Sequence, residues 1–406
     1  MPKLNITLFI LGLVAAITLV VVLPSDPHAS SFENRSLEPR PTFSPYQAIH
    51  HNFFGRLESY LLDNTAFRTT WLAFGSTLEN AYGLTQAGIA TMVDFAGEDL
   101  GFGLTPLPLV QATPGQLIGQ VVDPSEPFGQ DLHFHENAIF YLRYRENQET
   151  AARYAQVLNA YAQALPEGVR MFSMLAPVKV EFMAERYQAA NSSQRGTVDF
   201  VNSLLSPDII PVDVHGFLAA HADQYLFFRL DHHWTALGAY YAYLAFAQAA
   251  DFHPITIENY TQYTIPGFVG SLALGTRNQT ILDHPDTIHF YRIHDGTTFS
   301  MDLFHIPEDL SLACYRIFLG GDRDFIHFTS SNTNGRTLAV VKDSFANALV
   351  PWLAPHYQDI VMFDPRQFTG SIIEALAGFE NIDLLFVNYM PATTMADLIE
   401  QIYHAK

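Results

Sequence analysis

The sequence predicts an α/β protein in which helices flank a mainly parallel sheet, with an N-terminal transmembrane anchor and an inserted subdomain. Beyond about residue 130, short apolar segments alternate with helical patterns, as in parallel sheets that are covered on both faces. Hydrophobic residues make up 49% of the 406 positions and charged residues only 15%. This composition is that of a folded chain, since disordered segments are poor in apolar residues and rich in charge.

The predicted anchor occupies residues 1–24. Residues 4–23 carry no charge, and a helix of that length, at about 1.5 Å per residue, spans the roughly 30 Å hydrocarbon layer. Pro24 to Pro27 follow without a small-x-small cleavage site, so we expect an uncleaved anchor, with a cleaved signal peptide as the alternative. Because Lys3 precedes the span, we expect a single-pass protein of the cell membrane with the remaining chain outside the cytoplasm.

The segment 25–130 is predicted to be a tether followed by a helical region. Residues 24–48 are rich in Pro, Ser and Asn, and residues 53–78 carry apolar side chains at three- and four-residue spacing. Gly and Pro interrupt residues 97–131, which we expect to be irregular.

The third predicted domain, residues 131–406, contains the sheet and an insertion over about 254–330, where glycines break the alternation. The predicted strands are 138–143, 169–175, 209–214, 337–341, 360–363 and 383–388. The predicted helices are 148–165, 235–250 and 371–379. Ligands of such sheets bind at the carboxyl ends of the strands, so residues that follow strands are the first candidates for chemistry.

Charge and cysteine content exclude some functions. With 21 basic and 41 acidic residues the chain has a net charge of −20, which repels phosphate backbones and argues against nucleic acid as a partner. Cys314 is the only cysteine, so neither an intrachain disulfide nor a cysteine-based metal site can form.

Asp231 and His233 form the first candidate pair. In an extended backbone, positions i and i+2 face the same side, so these two side chains can share a site while His232 points elsewhere. A carboxylate beside an imidazole can orient a general base. The alternative is structural: Asp231 or Thr235 caps the helix that follows, and the histidines are ordinary surface or core residues.

Ser344 is the candidate nucleophile. It follows an apolar strand and precedes a helical pattern, a position where backbone N–H groups favour a developing oxyanion. Serine requires an adjacent base, which His233 would supply. The alternative is that Asp343 and Ser344 are helix caps; the Gly-x-Ser-x-Gly elbow of other serine enzymes is missing here.

Two runs carry a family resemblance. Residues 228–243, FRLDHHWTALGAYYAY, closely resemble the signature of the bacterial DHHW proteins, and residues 342–351 resemble the nucleophile segment of that family. Residues 32–35 and 63–68 add weaker matches, so the resemblance extends over about 30–390. DHHW proteins are similar to alginate O-acetyltransferases, whose fold resembles that of SGNH hydrolases.

The resemblance implies a triad in which Ser344 is the nucleophile, His233 the base and Asp231 its orienter. It also implies a membrane-bound O-acyltransferase partner that supplies the acyl group, because acetyl-CoA is not available outside the membrane. The segment 97–131 matches nothing in the alginate enzymes, so alginate itself is not implied as the substrate.

Four further residues are candidates for binding the substrate or the oxyanion. Gly270 and Asn388 are candidates for the oxyanion hole. Trp234 is either a platform for a sugar ring or a core residue, and Arg366 either binds an anionic group or pairs with Asp364. A local basic patch of Arg366 and Arg229 is one way to offset the acidic charge; otherwise we expect a neutral or weakly charged acceptor.

We expect no metal and no cofactor. His133 with His135, and His232 with His233, are pairs of potential ligands, but a third ligand is not identifiable from the sequence. The predicted function is an extracytoplasmic O-acyl or O-acetyl transferase, or an esterase, that acts on a cell-surface or exported polysaccharide through an acyl-serine. The alternative is a non-catalytic glycan-binding or structural component of a cell-envelope polysaccharide assembly.

Overall fold

The computed structural model describes Tyr60 and residues 132–135, 138–141, 144–183, 191–276, 283–307 and 314–406. The predicted anchor at 1–24 lies outside the described residues, as does the segment 25–130 except for Tyr60. None of the helices that the structure describes has the length and apolar character needed to span a bilayer. The strands and helices below fall within the larger of the two compact units of the chain, residues 87–406.

Ten strands are present in the described ranges. In chain order they are β1 (Leu132–His135), β2 (Ala138–Tyr141), β3 (Arg170–Ala176), β4 (Ile209–Pro211), β5 (Tyr260–Phe268), β6 (Asp286–Ile293), β7 (Phe325–Thr329), β8 (Thr337–Lys342), β9 (Asp359–Phe363) and β10 (Ile382–Tyr389). Six of them form the central sheet in the order β4-β3-β10-β8-β9-β7. All neighbours in this sheet are parallel except β7, which runs antiparallel to β9.

The helices of the described ranges lie on both faces of this sheet. They are α1 (Gln148–Ala164), α2 (Gln194–Leu204), α3 (Val214–Ala219), α4 (Ala236–Ala249), α5 (Ser271–Thr276), α6 (Ala346–Leu353), α7 (Ile372–Leu376) and α8 (Ala396–His404). Short 3₁₀ turns occupy Lys179–Phe182, Ile257–Asn259, Tyr315–Ile317, Ala354–His356 and Met390–Thr394.

Side-chain alternation along the strands divides the core into two layers. Every residue of β8 is buried, as expected for an apolar strand covered on both faces. Val340 and Leu385 face the layer that contains α3, α4 and α6, whereas Ala339 and Leu384 face the layer of α1, α2, α7 and α8. The predicted class, a mostly parallel sheet flanked by helices, is therefore confirmed.

The segment between α4 and β7, residues 250–324, departs from the parallel pattern and is called the excursion below. Its strands β5 and β6 form a two-stranded antiparallel sheet, and Ile288 and Phe290 pack into the same core layer as α4. The predicted insertion at about 254–330 contains this hairpin, but β7 at its end belongs to the central sheet. The predicted strand at 138–143 likewise lies outside that sheet, because among the described strands β2 pairs with β1 alone.

Parallel pairing places the residues that follow β3, β8, β9 and β10 at one edge of the sheet. The apolar segment 225–234 folds back on itself, with a single bridge between Phe227 and Trp234, before α4 begins at Ala236. The hydroxyl of Thr235 caps that helix by accepting the Gly238 N–H at 3.2 Å.

Candidate active site

Ser344 lies in the turn between β8 and α6 and is half-buried. The carboxylate of the preceding residue, Asp343, accepts the N–H of Phe345 at 3.0 Å and the N–H of Tyr389 at 2.7 Å. Burial raises the pKa of Asp343 despite these bonds. The turn is thus tied to the end of the neighbouring strand β10, which fixes the direction in which the hydroxyl of Ser344 points.

His233 connects Ser344 to Asp231. The ring of His233 is fully buried, its Nε2 lies 2.7 Å from Ser344 Oγ, and its Nδ1 lies 2.5 Å from Asp231 Oδ1. The backbone N–H of His233 donates to the same carboxylate oxygen at 3.0 Å. The ionised carboxylate can only accept, so Nδ1 carries the proton and Nε2 is free to accept from the serine hydroxyl. The structure therefore brings the three predicted residues into one hydrogen-bonded chain.

The second oxygen of Asp231 is held by Ser271. Both the N–H and the hydroxyl of Ser271 donate to Asp231 Oδ2 at 2.9 Å. Burial opposes ionisation, but the adjacent histidines and these donors together lower the pKa of Asp231 well below its usual range. Asp231 is therefore a carboxylate at neutral pH.

Gly270 allows the backbone before Ser271 to approach the backbone at Leu230 and Asp231 closely, so it lies at Asp231 and not at Ser344. A Cβ on Gly270 would come within 2.2 Å of the Leu230 carbonyl oxygen and 2.5 Å of the Asp231 Cβ. Gly270 thus packs against Asp231, at the end of the hydrogen-bonded triad that is remote from Ser344, with His233 in between. The prediction that Gly270 helps form an oxyanion hole is replaced by a steric role at Asp231.

Two rings lie against the imidazole of His233. The ring of the buried Tyr315 is parallel to it within 7°, at a centroid distance of 3.7 Å. The His232 ring lies 3.8 Å from it, and His232 Nδ1 is 3.3 Å from Ser271 Oγ. The expectation that His232 points away is therefore wrong. Burial lowers the pKa of His232 to about 3, so this ring is neutral at physiological pH.

Asp231, His232 and His233 also offer ligand atoms within 4.8 Å of one another. Hydrogen bonds to each other, to Ser271 and to Ser344 already occupy the atoms of Asp231 and His233. The hydrogen-bonded chain accounts for this cluster without a metal ion.

Trp234 and Asn388 do not contribute to a binding surface. Trp234 is fully buried, and its indole N–H donates to the Phe345 carbonyl at 2.9 Å, so the alternative of a core residue is correct. Asn388 is also buried, and its Oδ1 accepts the Tyr154 hydroxyl at 3.0 Å on the α1 side of the sheet. His233 packs on the other face, beside Tyr315.

Arg366 belongs to a cluster of charges beside the turn that holds Ser344. Its guanidinium bonds Asp322 at 2.7 Å and Asp364 at 2.5 Å. Lys342, with no exposed surface, donates to the other oxygen of Asp322 at 2.6 Å. This pairing with Asp364 is the second of the two alternatives considered for Arg366.

The local basic patch of Arg366 and Arg229 was one of two alternatives, and both of its members pair with carboxylates. Arg229, its second member, pairs with Asp286 at 3.1 Å, and Arg366 pairs with two carboxylates. Neither arginine is left to attract an anion, since each already faces a buried or nearly buried carboxylate.

Sequence reasoning did not identify Ser271, Tyr315 or Lys179 as neighbours of the candidate triad. A glycine before Ser271 was the one available indication, because glycine often marks a close backbone approach. Tyr315 and Lys179 lie far from His233 in sequence, and no local pattern distinguishes them from other buried residues.

Comparison with known proteins places these residues in a family context. A family model described as DHHW protein matches residues 125–363. No match was found among curated proteins.

Solved structures add likenesses of fold. A DHHW family protein from Eubacterium siraeum DSM 15702 is 29% identical with a TM-score of 0.57, over 62% of this chain and 88% of that one. PatB1 from Bacillus cereus, with a sulfonyl adduct, is 18% identical with a TM-score of 0.55, over 67% of this chain and 99% of that one. The O-acetyltransferase domain of AlgJ from Pseudomonas putida is 14% identical with a TM-score of 0.40, over 68% of this chain and 99% of that one.

Proposed function

The chain belongs to the DHHW protein family, and on that premise we propose that it is an O-acyltransferase or esterase that works through an acyl-serine at Ser344 on an SGNH-like fold. One observation carries the proposal: an unbroken hydrogen-bonded chain from Ser344 Oγ through both nitrogens of His233 to Asp231. This is the arrangement that nucleophilic serine chemistry requires.

The geometry supports a two-step reaction. Ser344 Oγ attacks the carbonyl carbon of an acyl ester while its proton passes to His233 Nε2. The carboxylate of Asp231 stabilises the resulting imidazolium. The tetrahedral intermediate then breaks its bond to the leaving alcohol, which takes the proton from His233 and leaves an acyl-serine. In the second step His233 removes the proton of an acceptor hydroxyl, whose oxygen attacks the acyl carbon. The second tetrahedral intermediate then breaks its bond to Ser344 Oγ, which takes the proton back from His233 Nε2.

The backbone N–H of Ser344 is the donor we assign to the developing oxyanion. Within the described residues no acceptor is recorded for it, and it lies beside the amino end of α6, where the helix dipole favours negative charge.

We further propose that the substrate is a cell-surface or exported polysaccharide, that residues 1–24 anchor the protein in the membrane, and that a membrane-bound O-acyltransferase supplies the acyl group. These proposals rest on the family resemblance and on the apolar N-terminal run. Because Arg229 and Arg366 are already paired, an acceptor with little charge suits this acidic protein better than a polyanion.

Labelling with a serine-reactive fluorophosphonate tests the acyl-serine. We expect one label per wild-type chain at neutral pH, a loss of label in Ser344→Ala, and a rate at least about a thousandfold lower in His233→Ala. Ser330→Ala, at a distant hydroxyl that donates to the Tyr357 carbonyl, is the matched control and should label normally. A folded wild-type protein that is never labelled would favour a non-catalytic glycan-binding component instead.

A second experiment separates transfer from hydrolysis. The protein is incubated with an activated acetyl ester, with and without a neutral oligosaccharide, and acetylated sugar is measured by mass spectrometry. Acetylated sugar that requires Ser344 supports transfer, since the sugar must intercept the acyl-enzyme before water does. Release of acetate alone, at every sugar concentration, supports an esterase.

A further inference from the structure

The loop that carries Asp231 and His233 is held from both sides by opposite charges. The ammonium of Lys179 donates to three carbonyl oxygens of this loop, those of Phe228 at 2.7 Å, Arg229 at 3.0 Å and Asp231 at 3.2 Å. On the opposite side, Asp286 Oδ2 accepts the N–H of Arg229 at 2.6 Å and the N–H of Leu230 at 3.0 Å.

These bonds involve the same peptide groups. The carbonyl of residue 228 and the N–H of residue 229 belong to one peptide, and the carbonyl of 229 and the N–H of 230 belong to the next. Two consecutive peptides therefore lie between the ammonium and the carboxylate, each bonded at both ends. Their dipoles point the carbonyls at the positive charge and the N–H groups at the negative charge, which is the favourable direction.

The segments that carry Lys179 and Asp286 are themselves held by hydrogen bonds. Lys179 begins the 3₁₀ turn after β3, where Val178 is bonded to the side chain of Gln194 at 2.9 Å and Glu181 accepts two N–H groups at the start of α2. Asp286 begins β6, is almost fully buried, and also accepts from the Tyr225 hydroxyl.

We propose that Lys179 and Asp286 are a pair of positioning residues that act through these two peptides to hold Asp231 and His233 in line with Ser344. The inference rests on the proposed acyl-serine function. The remaining carbonyl of the loop, that of Leu230, accepts the N–H of Ala273 at 3.2 Å, so residues 228–231 have all four carbonyls bonded. A loop fixed in this way already holds its catalytic residues in place before the substrate binds. A small displacement of these residues would slow the reaction strongly.

The pair also makes the loop sensitive to pH. Burial lowers the pKa of Lys179 to about 7, although the charges of Asp286 and Asp231 oppose this effect and Arg229 adds to it. His232 also interacts electrostatically with Lys179, and it is neutral at this pH. Deprotonation leaves an amine with two donors for three carbonyls and removes the positive charge that aligns the peptides.

The test measures the fluorophosphonate labelling rate of the full-length protein between pH 5 and 9 in Lys179→Met, Lys179→Arg, Asp286→Asn and the Lys179→Met/Asp286→Asn double variant. Lys406→Met, which removes an ammonium that lies over the Tyr403 ring, is the matched control. Amide hydrogen exchange of the peptide that covers residues 226–234 is measured in parallel, because it reports loop order without requiring activity.

We expect Lys179→Met to label about 10- to 100-fold more slowly than wild type and to exchange faster at residues 229 and 230. The wild-type rate should fall above about pH 7, and Lys179→Arg, whose guanidinium stays charged, should not show this fall. The double variant should be slowed by much less than the product of the two single effects, since either change already breaks the pair.

The inference would be overturned if Lys179→Met had the same labelling rate, pH profile and hydrogen exchange as the wild type. It would also be overturned if the double variant were slowed by the full product of the two single effects. If Lys179→Met does not fold, the wild-type pH profile and Asp286→Asn decide in the same way. If the wild type is not labelled at all, the proposed function fails, and the exchange data still decide whether Lys179 and Asp286 order the loop.

Discussion

Replacement of Ser271 by alanine removes one of four hydrogen bonds to the Asp231 carboxylate. The four donors are the N–H and Nδ1 of His233 on Oδ1, and the N–H and hydroxyl of Ser271 on Oδ2. The substitution leaves the backbone donor in place, so Oδ2 keeps one partner. The substitution therefore removes one charge-assisted bond to Asp231, together with the weaker contact of the Ser271 hydroxyl with His232 Nδ1 at 3.3 Å.

The size of the effect follows from that bond. A hydrogen bond to a charged group contributes about 1.5–3 kcal/mol, and we take the lower end because the second donor remains and Ser271 is half-exposed. About 1.4 kcal/mol corresponds to a factor of ten in rate if the whole amount is lost from the transition state. We expect Ser271→Ala to raise the pKa of Asp231 and to slow the reaction by about three- to tenfold.

The assay is the rate of fluorophosphonate labelling, together with hydrolysis of an activated acetyl ester, from pH 3 to 8. Because the pKa of Asp231 lies well below its usual range, the variant keeps its carboxylate at pH 7, and the loss there reflects orientation.

Ser300→Ala is the control, because that hydroxyl accepts the N–H of Thr329 at 2.9 Å in the excursion and should not affect the rate. Asp231→Asn, which leaves the imidazole with the wrong tautomer, should lose about 10⁴-fold. Ser271→Ala with the rate of the wild type, alongside an inactive Asp231→Asn, would refute a role for Ser271 in holding the carboxylate.

Three further variants probe the surroundings of the site. Gly270→Ala should cost about 1–3 kcal/mol in urea unfolding and slow labelling at least about tenfold, because its Cβ would meet the Leu230 carbonyl; Gly378→Ala, with nothing within 4 Å, should do neither. Asp383→Ala removes the carboxylate that pairs with the partly exposed Arg170 and Arg336 and that accepts the buried Tyr357 hydroxyl. Unfolding should therefore become about 2 kcal/mol easier while the labelling rate per folded chain stays unchanged; a slower rate would contradict this separation. Asp322→Asn removes a carboxylate whose pKa is lowered, despite burial, by Lys342 and Arg366. The wild type should therefore melt at a higher temperature than Asp322→Asn at pH 7, with the difference shrinking as pH falls below about 4; a constant difference down to pH 3 would exclude the linkage.

Local sequence patterns were sufficient for the elements that form the site. The predicted helix at 148–165 is observed as Gln148–Ala164, because Asn147 caps its start and Pro166 follows its end. The predicted strands at 337–341 and 383–388 are each observed within one residue of those bounds. Once these strands are parallel, their carboxyl ends must share an edge, and this places Ser344 after β8 at that edge. His233 reaches Ser344 from the loop 225–234, which is not a strand of the sheet.

The partners of charged side chains that lie far apart in sequence could not be predicted in the same way. Arg366 reaches Asp322, 44 positions away, and Lys179 reaches carbonyls about 50 positions away. Whether an arginine binds substrate or an internal carboxylate depends on which loops the sheet brings together, and no short window contains both partners. For this reason the sequence left open whether Arg366 and Arg229 form a basic patch or pair with internal carboxylates.

Asn388 shows that the face of the sheet on which a strand residue lies decides whether it can reach the candidate site. Leu384 and Phe386 face the layer of α1, so Asn388, two residues further on, faces the same layer and accepts from Tyr154. Val387 faces the opposite layer, where Tyr315 lies parallel to His233. An oxyanion donor must come from that second face or from the turn itself, so Asn388 is excluded although it stands at the correct end of the strand. We propose the backbone N–H of Ser344 for this role, because it lies in the turn after β8 and does not depend on which face the side chains of β10 adopt.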